Sequence, residues 1–320
     1  MTHHPPTMRA AVFAGPGRVE IDSVPVPRPG AGEVLLRVEG CGVCASNLEP
    51  WEGKPWFQYP FAPGAPGHEA YGTVEALGPG TSGVSPGQRV AFLSYHAYAE
   101  YVVARADAVV PIPPGPFPGE PLACALNVLA RCGIEAGQTV AVVGTGFLGC
   151  LLVRLAAAAG ACVIALSRRG CALELAKEQG AAETVALCAD GEALGQVEAL
   201  TEGKGCEVVI EATGREEPLD LAGRLTRERG RLVIAGYHQD GPRRINLQLW
   251  NWRGLDVINA HERDPAIYVR GLRAAVEAVK SGRIDPAPLL THFLPLEELG
   301  AALRMTRERP GGFMKAIVTP

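Results

Sequence analysis

Two short segments of this 320-residue chain gather side chains that could do chemistry together. Gly40-Cys41-Gly42-Val43-Cys44-Ala45-Ser46-Asn47 is followed by Gly67-His68-Glu69, so a thiolate, a hydroxyl, an imidazole and a carboxylate sit in two glycine-bounded stretches. Cysteine, histidine and carboxylate form a preferred zinc-ligand set, and a centre with three protein ligands keeps a position open for substrate. The Ser46 hydroxyl could then move a proton to or from an oxygen held there. Taken alone, Cys41 and Cys44 also suit two small buried residues, and His68 a loop histidine with its hydrogen bonds met locally. The remainder of the chain favours the metal.

A second cluster is the turn Gly144-Thr145-Gly146-Phe147-Leu148-Gly149, which follows the apolar run Thr139–Val143 and opens the alanine-rich stretch Leu151–Ala159. In strand–turn–helix context these glycines permit a tight turn and the close approach of a pyrophosphate to a helix N-terminus. The next strand, Cys162–Leu166, should end near the ribose. An acidic residue there would bind the 2′-hydroxyl and specify NAD. The chain instead reads Ser167-Arg168-Arg169, a hydroxyl and two guanidiniums that match a 2′-phosphate. NADP(H) is therefore expected over NAD(H). The alternative is that both arginines only begin a solvated helix. Thr213, with Gly214 after the run ending at Ile210, and Gly236-Tyr237 after Ile234 end two later strands and are candidates for the nicotinamide wall.

These motifs need two kinds of scaffold. Through the first hundred residues, short β runs such as Arg9–Phe13, Glu33–Val38, Tyr71–Ala76, Arg89–Phe92 and Glu100–Val103 are separated by proline–glycine clusters. After the proline-rich link 111–118, strands and helices alternate: Thr139–Val143, Leu151–Ala159, Cys162–Leu166, Cys171–Gln179, Glu207–Ile210, Leu219–Leu225 and Arg231–Ile234. That rhythm predicts a parallel sheet covered on both faces. Helical spacing returns over Tyr268–Ser281, and Met314–Val318 reads as a closing strand.

Composition narrows the partners. Hydrophobic residues make up 47% and charged residues 20%, and the net charge is -4, which gives no reason to expect nucleic acid or an anionic membrane. The most apolar window, Leu151–Leu166, is short and contains Arg154. No basic region followed by an apolar run marks a secretory signal at the N-terminus. Nine scattered cysteines read as thiols in a reducing cytoplasm.

Together these residues resemble the medium-chain dehydrogenase/reductase superfamily, in its zinc-dependent alcohol and polyol dehydrogenase branch. The most specific motifs are Cys41-Gly-Val-Cys44-Ala-Ser46, Pro66-Gly67-His68-Glu69, Val84-Ser-Pro-Gly87-Gln-Arg89-Val90, Glu120-Pro121-Leu122 and Gly144-Thr-Gly-Phe-Leu-Gly149. The resemblance implies a GroES-like β-rich catalytic domain over 1–121 and 257–320, and a Rossmann doubly wound parallel sheet over 122–256 that binds NADP(H). It implies that Cys44, His68 and Glu120 hold zinc, and that Glu69 either binds the metal or waits beside it. Lys315, in the closing strand, joins the candidate cofactor residues. A homodimer or homotetramer is implied as well.

Three departures stand out. Asn47 occupies a position where these relatives usually carry an aspartate that orients the histidine ligand; an amide can accept that hydrogen bond but adds no charge. The four-cysteine lobe that binds a second, structural zinc in many relatives is missing, because Arg89-Val90 runs through Phe92-Leu-Ser-Tyr-His96 to Tyr101 without a cysteine. One zinc is expected, not two. Glu49 stands where some relatives place a histidine that finishes the proton path. The reaction implied is hydride transfer between NADP(H) and an alcohol/carbonyl substrate, polyol or sugar-like, with Ser46 passing the proton. Two other functions fit parts of the pattern: a metal-free quinone or enone reductase on the same fold, and a non-catalytic NADP(H)-binding sensor. Trp51, Trp56, Trp250 and Trp252 are candidates to line the substrate site, or equally to be buried or at an interface.

Overall fold

The computed structural model describes residues 5–188 and 191–320. In chain order, β1 (Thr7–Gly15), β2 (Arg18–Pro25), β3 (Glu33–Gly42), α1 (Leu48–Glu52), β4 (Glu69–Leu77), β5 (Arg89–Phe92), β6 (Tyr101–Arg105) and β7 (Val109–Pro111) lead to α2 (Gly119–Cys132). There follow β8 (Thr139–Val143), α3 (Phe147–Ala158), β9 (Cys162–Ser167), α4 (Gly170–Glu178), β10 (Glu183–Ala186), α5 (Glu192–Leu200), β11 (Cys206–Glu211), α6 (Glu216–Leu225), β12 (Thr226–Ile234), α7 (Leu247–Arg253) and β13 (Asp256–Asn259). The chain ends with α8 (Pro265–Lys280), β14 (His292–Pro295), α9 (Leu299–Glu308) and β15 (Ala316–Thr319). Two compact units result. One comprises residues to Ala123 with Asp264–Lys280 and Asp285–Pro320; the other comprises Cys124–Arg263 and Ser281–Ile284. The parallel sheet's last strand, β13, contains residue 257, where the sequence reading places the return to the first domain.

In the first unit a seven-stranded sheet has the order β14-β15-β3-β4-β5-β7, and β6 pairs with β3. The long β3 pairs with β4 along one edge from Val34↔Leu77 to Gly42↔Glu69. On its other edge it takes β6 through Glu33–Arg37 and β15 through Cys41 and Gly42. Alternating side chains of a strand serve opposite faces, and here one face packs Leu36, Val74, Phe92 and Tyr98 against Leu299 and Leu303 of α9. The surface hairpin β1–β2 has a second strand that alternates exposed and half-buried residues. Its start, Arg18-Val-Glu-Ile-Asp22, alternates polar and apolar residues as a half-buried strand does, a signal that the runs named from the sequence do not include.

The second unit is a six-stranded parallel sheet ordered β10-β9-β8-β11-β12-β13, the doubly wound arrangement expected from the alternating elements. Its central strands are nearly continuous apolar runs, such as Val140–Val143, because helices cover both faces. Val143, Ile164, Leu166, Val209 and Leu232 meet Leu219, Leu225 and Trp250 in its core. β12 begins earlier than its apolar pattern: Thr226–Gly230 is mostly exposed and joins through a register shift opposite Cys206 and Val208. Among the described residues no helix is long and apolar enough to cross a membrane.

Candidate metal centre and dinucleotide site

The registers of the first sheet bring the two chemical segments to one end. Gly42, at the end of β3, lies opposite Glu69, at the start of β4, and Ile317 of β15 pairs with Gly42. Ligand atoms of Cys44, His68 and Glu69 all lie within 4.8 Å of one another. Cys44 and His68 are partly exposed, as an open centre requires, whereas Glu69 is buried. Ser46 is half-buried in a short 3-10 turn, Ala45–Asn47, directly after Cys44. Cys41 points elsewhere: it is 1% exposed, and burial, with Glu69 adding to it, pushes its thiol far above the ordinary value. It is a packed thiol that does not join the Cys44–His68–Glu69 cluster.

The centre is rich in negative charge. Burial alone would lower His68, but hydrogen bonding and attraction to Cys44, then the charges of Glu120 and Glu69, outweigh it and raise the imidazole to about 10. Such a nest of sulfur and carboxylate donors suits a divalent cation, and its cysteine–histidine–carboxylate chemistry suits zinc. Glu120, in the first turn of α2, is not within 4.8 Å of all three other donors, yet its charge reaches both His68 and Lys315. Lys315 itself is buried, and its ammonium is paired with Glu69 Oε2. Burial would depress this lysine, but Glu69, then Cys44 and Glu120, raise it instead. Gly42 makes room for the pair, since a Cβ there would lie 2.0 Å from Glu69 Oε2 and 3.1 Å from Lys315 Cε.

Asn47 behaves differently from the expectation that it accepts a bond from the histidine. Its Nδ2 donates to the Pro66 carbonyl at 3.2 Å, and its Oδ1 accepts from the Tyr98 hydroxyl at 2.8 Å. His68 Nδ1 lies 2.8 Å from the same Pro66 oxygen. Nothing in the sequence pattern singles out Tyr98 or a proline carbonyl for this task. Glu49 is 6% exposed within α1.

In the second unit the glycine turn leaves β8 and enters α3. Gly144 has φ +99, and a Cβ on it would lie 2.3 Å from the Thr213 methyl; a Cβ on Gly149 would lie 2.0 Å from the Gly144 oxygen. Gly146 faces open space, and no protein atom lies within 4 Å of where its Cβ would be. Thr145 is 1% exposed with no hydrogen-bond partner for its hydroxyl, while Phe147 is buried and Leu148 half-buried. The turn lies where strand order reverses between β8 and β11, the place where open parallel sheets take ligands. At the end of β9, Ser167 is 7% exposed and its Oγ accepts from Arg169 N at 3.4 Å. Arg168 is exposed and Arg169 caps α4.

The nicotinamide-wall candidates are joined by a group absent from the sequence expectations. Glu211, 0% exposed at the end of β11, accepts from Thr213 N at 2.6 Å and Gly214 N at 2.9 Å through Oε1. Its Oε2 lies 3.0 Å from His238 Nε2, and His238 Nδ1 accepts from Arg243 Nε at 2.9 Å. An arginine nitrogen can only donate, so Nδ1 is bare and Nε2 carries the proton. Gly236 packs on Gly214, with its would-be Cβ 2.2 Å from Gly214 N, and Tyr237 is 53% exposed with its ring stacked on His261. The acidic residue in an Ile-Glu-Ala-Thr-Gly strand end was the available signal. Among the tryptophans, Trp51 and Trp250 are buried whereas Trp56 and Trp252 are exposed. Arg253 is spent on the carbonyls of Arg224 and Thr226.

Comparison with known proteins places this geometry. Residues 30–114 match the family model of the alcohol dehydrogenase GroES-like domain, and residues 148–272 match that of zinc-binding dehydrogenase. The chain is 27% identical over 346 residues to a sorbitol dehydrogenase of Halalkalibacterium halodurans, covering 96% of this chain and 97% of that one. Among solved structures, a Sinorhizobium meliloti protein described as a zinc-binding dehydrogenase and bound to NADP superposes with a TM-score of 0.85 at 28% identity, covering 98% of this chain and 99% of that one. A cobalt- and zinc-bound thermostable alcohol dehydrogenase of Pyrobaculum aerophilum gives 0.83 at 28% identity, covering 98% and 100%. With a GroES-like unit that gathers Cys44, His68 and Glu69 and a doubly wound unit that carries the glycine turn, the chain belongs to the zinc-dependent medium-chain dehydrogenase/reductase superfamily, in its alcohol and polyol dehydrogenase branch.

Proposed function

We propose that this oxidoreductase transfers a hydride between NADP(H) and an alcohol/carbonyl substrate, polyol or sugar-like, at one zinc centre. The observation that carries the reading is the convergence of Cys44, His68 and Glu69 within 4.8 Å. Cys44, His68 and a carboxylate would hold the metal, with Glu69 nearest and Glu120 the neighbouring anion. When bound, zinc would supply Lewis-acid polarisation of a substrate oxygen, and the nicotinamide would supply or take the hydride. Ser46, two residues from Cys44, would relay the substrate hydroxyl's proton outward, accepting it while giving up its own toward solvent, and would run the relay backwards in the other direction. The glycine turn Gly144–Gly149 would receive the pyrophosphate at the N-terminus of α3, with Thr145 offering a hydroxyl. Ser167 and Arg168 would engage the 2′-phosphate, because an exposed guanidinium suits it and the strand end Ala165–Arg169 carries no acidic residue. Thr213, Gly236 and Tyr237 would bound the nicotinamide. The scattered free thiols suit a cytoplasmic setting and a reducing pool.

One observation favours a second reading, a metal-free quinone or enone reductase: Glu69 already has a cationic partner in Lys315, so the buried carboxylate is neutralised without an ion. Zinc content of protein purified without added metal, together with turnover on a panel of alcohols, polyols, aldehydes, ketones and enones, separates the two. About one zinc per chain and NADP(H)-linked alcohol or carbonyl turnover is expected. Zinc far below one with enone reduction would install the second reading, and NADH binding at least as tight as NADPH would reject the cofactor assignment.

A further inference from the structure

We propose that Asn47 is a positioning residue for His68, acting through a neutral relay of Tyr98 hydroxyl, Asn47 amide and Pro66 carbonyl. The inference rests on the reading of Cys44 and His68 as metal ligands and deepens it by naming what sets the imidazole. Its starting point is that the Pro66 carbonyl can only accept hydrogen bonds. The Asn47 atom 3.2 Å away must therefore be the amide nitrogen, and the His68 nitrogen 2.8 Å away must carry a proton. Both orientations are fixed by one oxygen. The other end of the Asn47 amide is then its oxygen, and the Tyr98 hydroxyl donates to it at 2.8 Å.

The relay has rigid supports. Tyr98 is fully buried, its backbone N–H donates to the Gly64 carbonyl at 3.0 Å, and its hydroxyl also lies 3.3 Å from the Gly42 carbonyl. Ala97 N donates to the Gly67 carbonyl at 3.0 Å, clamping the residue between Pro66 and His68. Gly67 cannot carry a side chain, because a Cβ would sit 2.5 Å from Tyr98 N. Asn47 is 2% exposed. With Nδ1–H committed to Pro66, Nε2 is the ring nitrogen left for Cys44 and a metal. The arrangement also accounts for the amide: a carboxylate at position 47 would set an anionic oxygen against the Pro66 carbonyl, where Nδ2 now donates. The histidine is thus oriented by a dipole chain and not by a charge, which leaves the negative charge of the centre to Cys44, Glu69 and Glu120.

The test uses the full chain, stripped of metal with a chelator, and four proteins: the parent, Asn47→Ala, Tyr98→Phe and the double variant. Zinc affinity by chelator competition and the visible spectrum of the cobalt(II)-loaded protein are measured, with NADPH binding and thermal unfolding on the same samples. Outer partners of a metal-bound histidine control roughly 10- to 100-fold in metal affinity, so Asn47→Ala should weaken zinc by about that factor and alter the cobalt spectrum. Tyr98→Phe should do the same more weakly, and the double variant should be no worse than Asn47→Ala, since Tyr98 acts through Asn47. Zinc affinity and cobalt spectrum like the parent's in either single variant, or losses that multiply in the double, overturn the relay. If Asn47→Ala does not fold, Tyr98→Phe, which loses one oxygen atom, decides alone by the same two measurements. A parent that binds no zinc would sink the metal reading and the relay with it; a parent that binds tightly beside indifferent variants would sink only the relay.

Discussion

At the carboxyl end of the parallel sheet, the dinucleotide turn is shaped largely by what is absent: Gly144 adopts φ +99 and Gly149 touches the Gly144 carbonyl, so neither position has room for a Cβ. At the end of the antiparallel sheet, the metal centre is shaped by what is present: two buried carboxylate–cation and amide–hydroxyl contacts, Glu69 with Lys315 and Asn47 with Tyr98, hold the ligands from remote points of the chain. The first kind of site is a property of backbone path and the second of side-chain partnership. A backbone site fails when bulk is added locally. A partnership site fails when a distant residue is removed, and it can be rebuilt by a different partner. The contrast is not complete, since the dinucleotide end has its own buried carboxyl group in Glu211, which gathers Thr213, Gly214 and His238.

Substitutions can break this comparison or sharpen it. The largest effect should come from His68→Ala, which should weaken zinc by more than the roughly 10- to 100-fold controlled by outer partners while NADPH affinity stays within about threefold. Direct metal analysis and cofactor titration check it, and loss of both would mean that the two sites are not independent. Next is Lys315→Met, which leaves Glu69 buried without its cation. Breaking such a pair costs about 3–5 kcal/mol, read as a lower unfolding midpoint of metal-free protein, and zinc should restore more stability to this variant than to the parent. Equal rescue by zinc in both would show that Glu69 does not turn to the metal.

Gly149→Ala should act on the other side of the comparison. Its Cβ would meet the Gly144 carbonyl at 2.0 Å, so the turn must shift, and NADPH should weaken by about 100-fold, equivalent to ~2.7 kcal/mol, with zinc content unchanged. Isothermal titration checks both arms. The smallest effect should follow Arg168→Asp. Loss of one charge-assisted bond of about 1.5–3 kcal/mol predicts roughly 10- to 100-fold weaker NADPH with little change for NADH, measured by fluorescence titration. Unchanged NADPH affinity would leave Arg168 as a solvated residue before α4.

How much was readable in advance follows the same division. The strands Thr139–Val143 and Cys162–Leu166 and the glycine spacing between them announce the parallel sheet and its turn, because strand period, apolar runs and glycine demands are local. Cys44 and His68 were legible as ligand types, whereas the partner of Glu69 was not. Lys315 read as a cofactor candidate in a closing strand, and only the pairing of β15 with β3 at Gly42 sets its ammonium on Glu69. Asn47 was visible as a departure, but its meaning depended on Tyr98, which no motif includes, and on the Pro66 carbonyl, to which its own motif assigns no such role.

By itself, then, the sequence determined the two kinds of scaffold, the turn that can take a pyrophosphate and the residue types that can take a metal. These rest on interactions between near neighbours along the chain, where residue identity constrains the backbone directly. Only the tertiary structure decided which groups neutralise and orient the ligands. Residues 42, 69 and 315 meet through sheet register, and 47, 66 and 98 through packing around one carbonyl. Hydrogen bonds and ion pairs act over a few ångströms whatever the separation in sequence, and that distance exists only once the chain has folded.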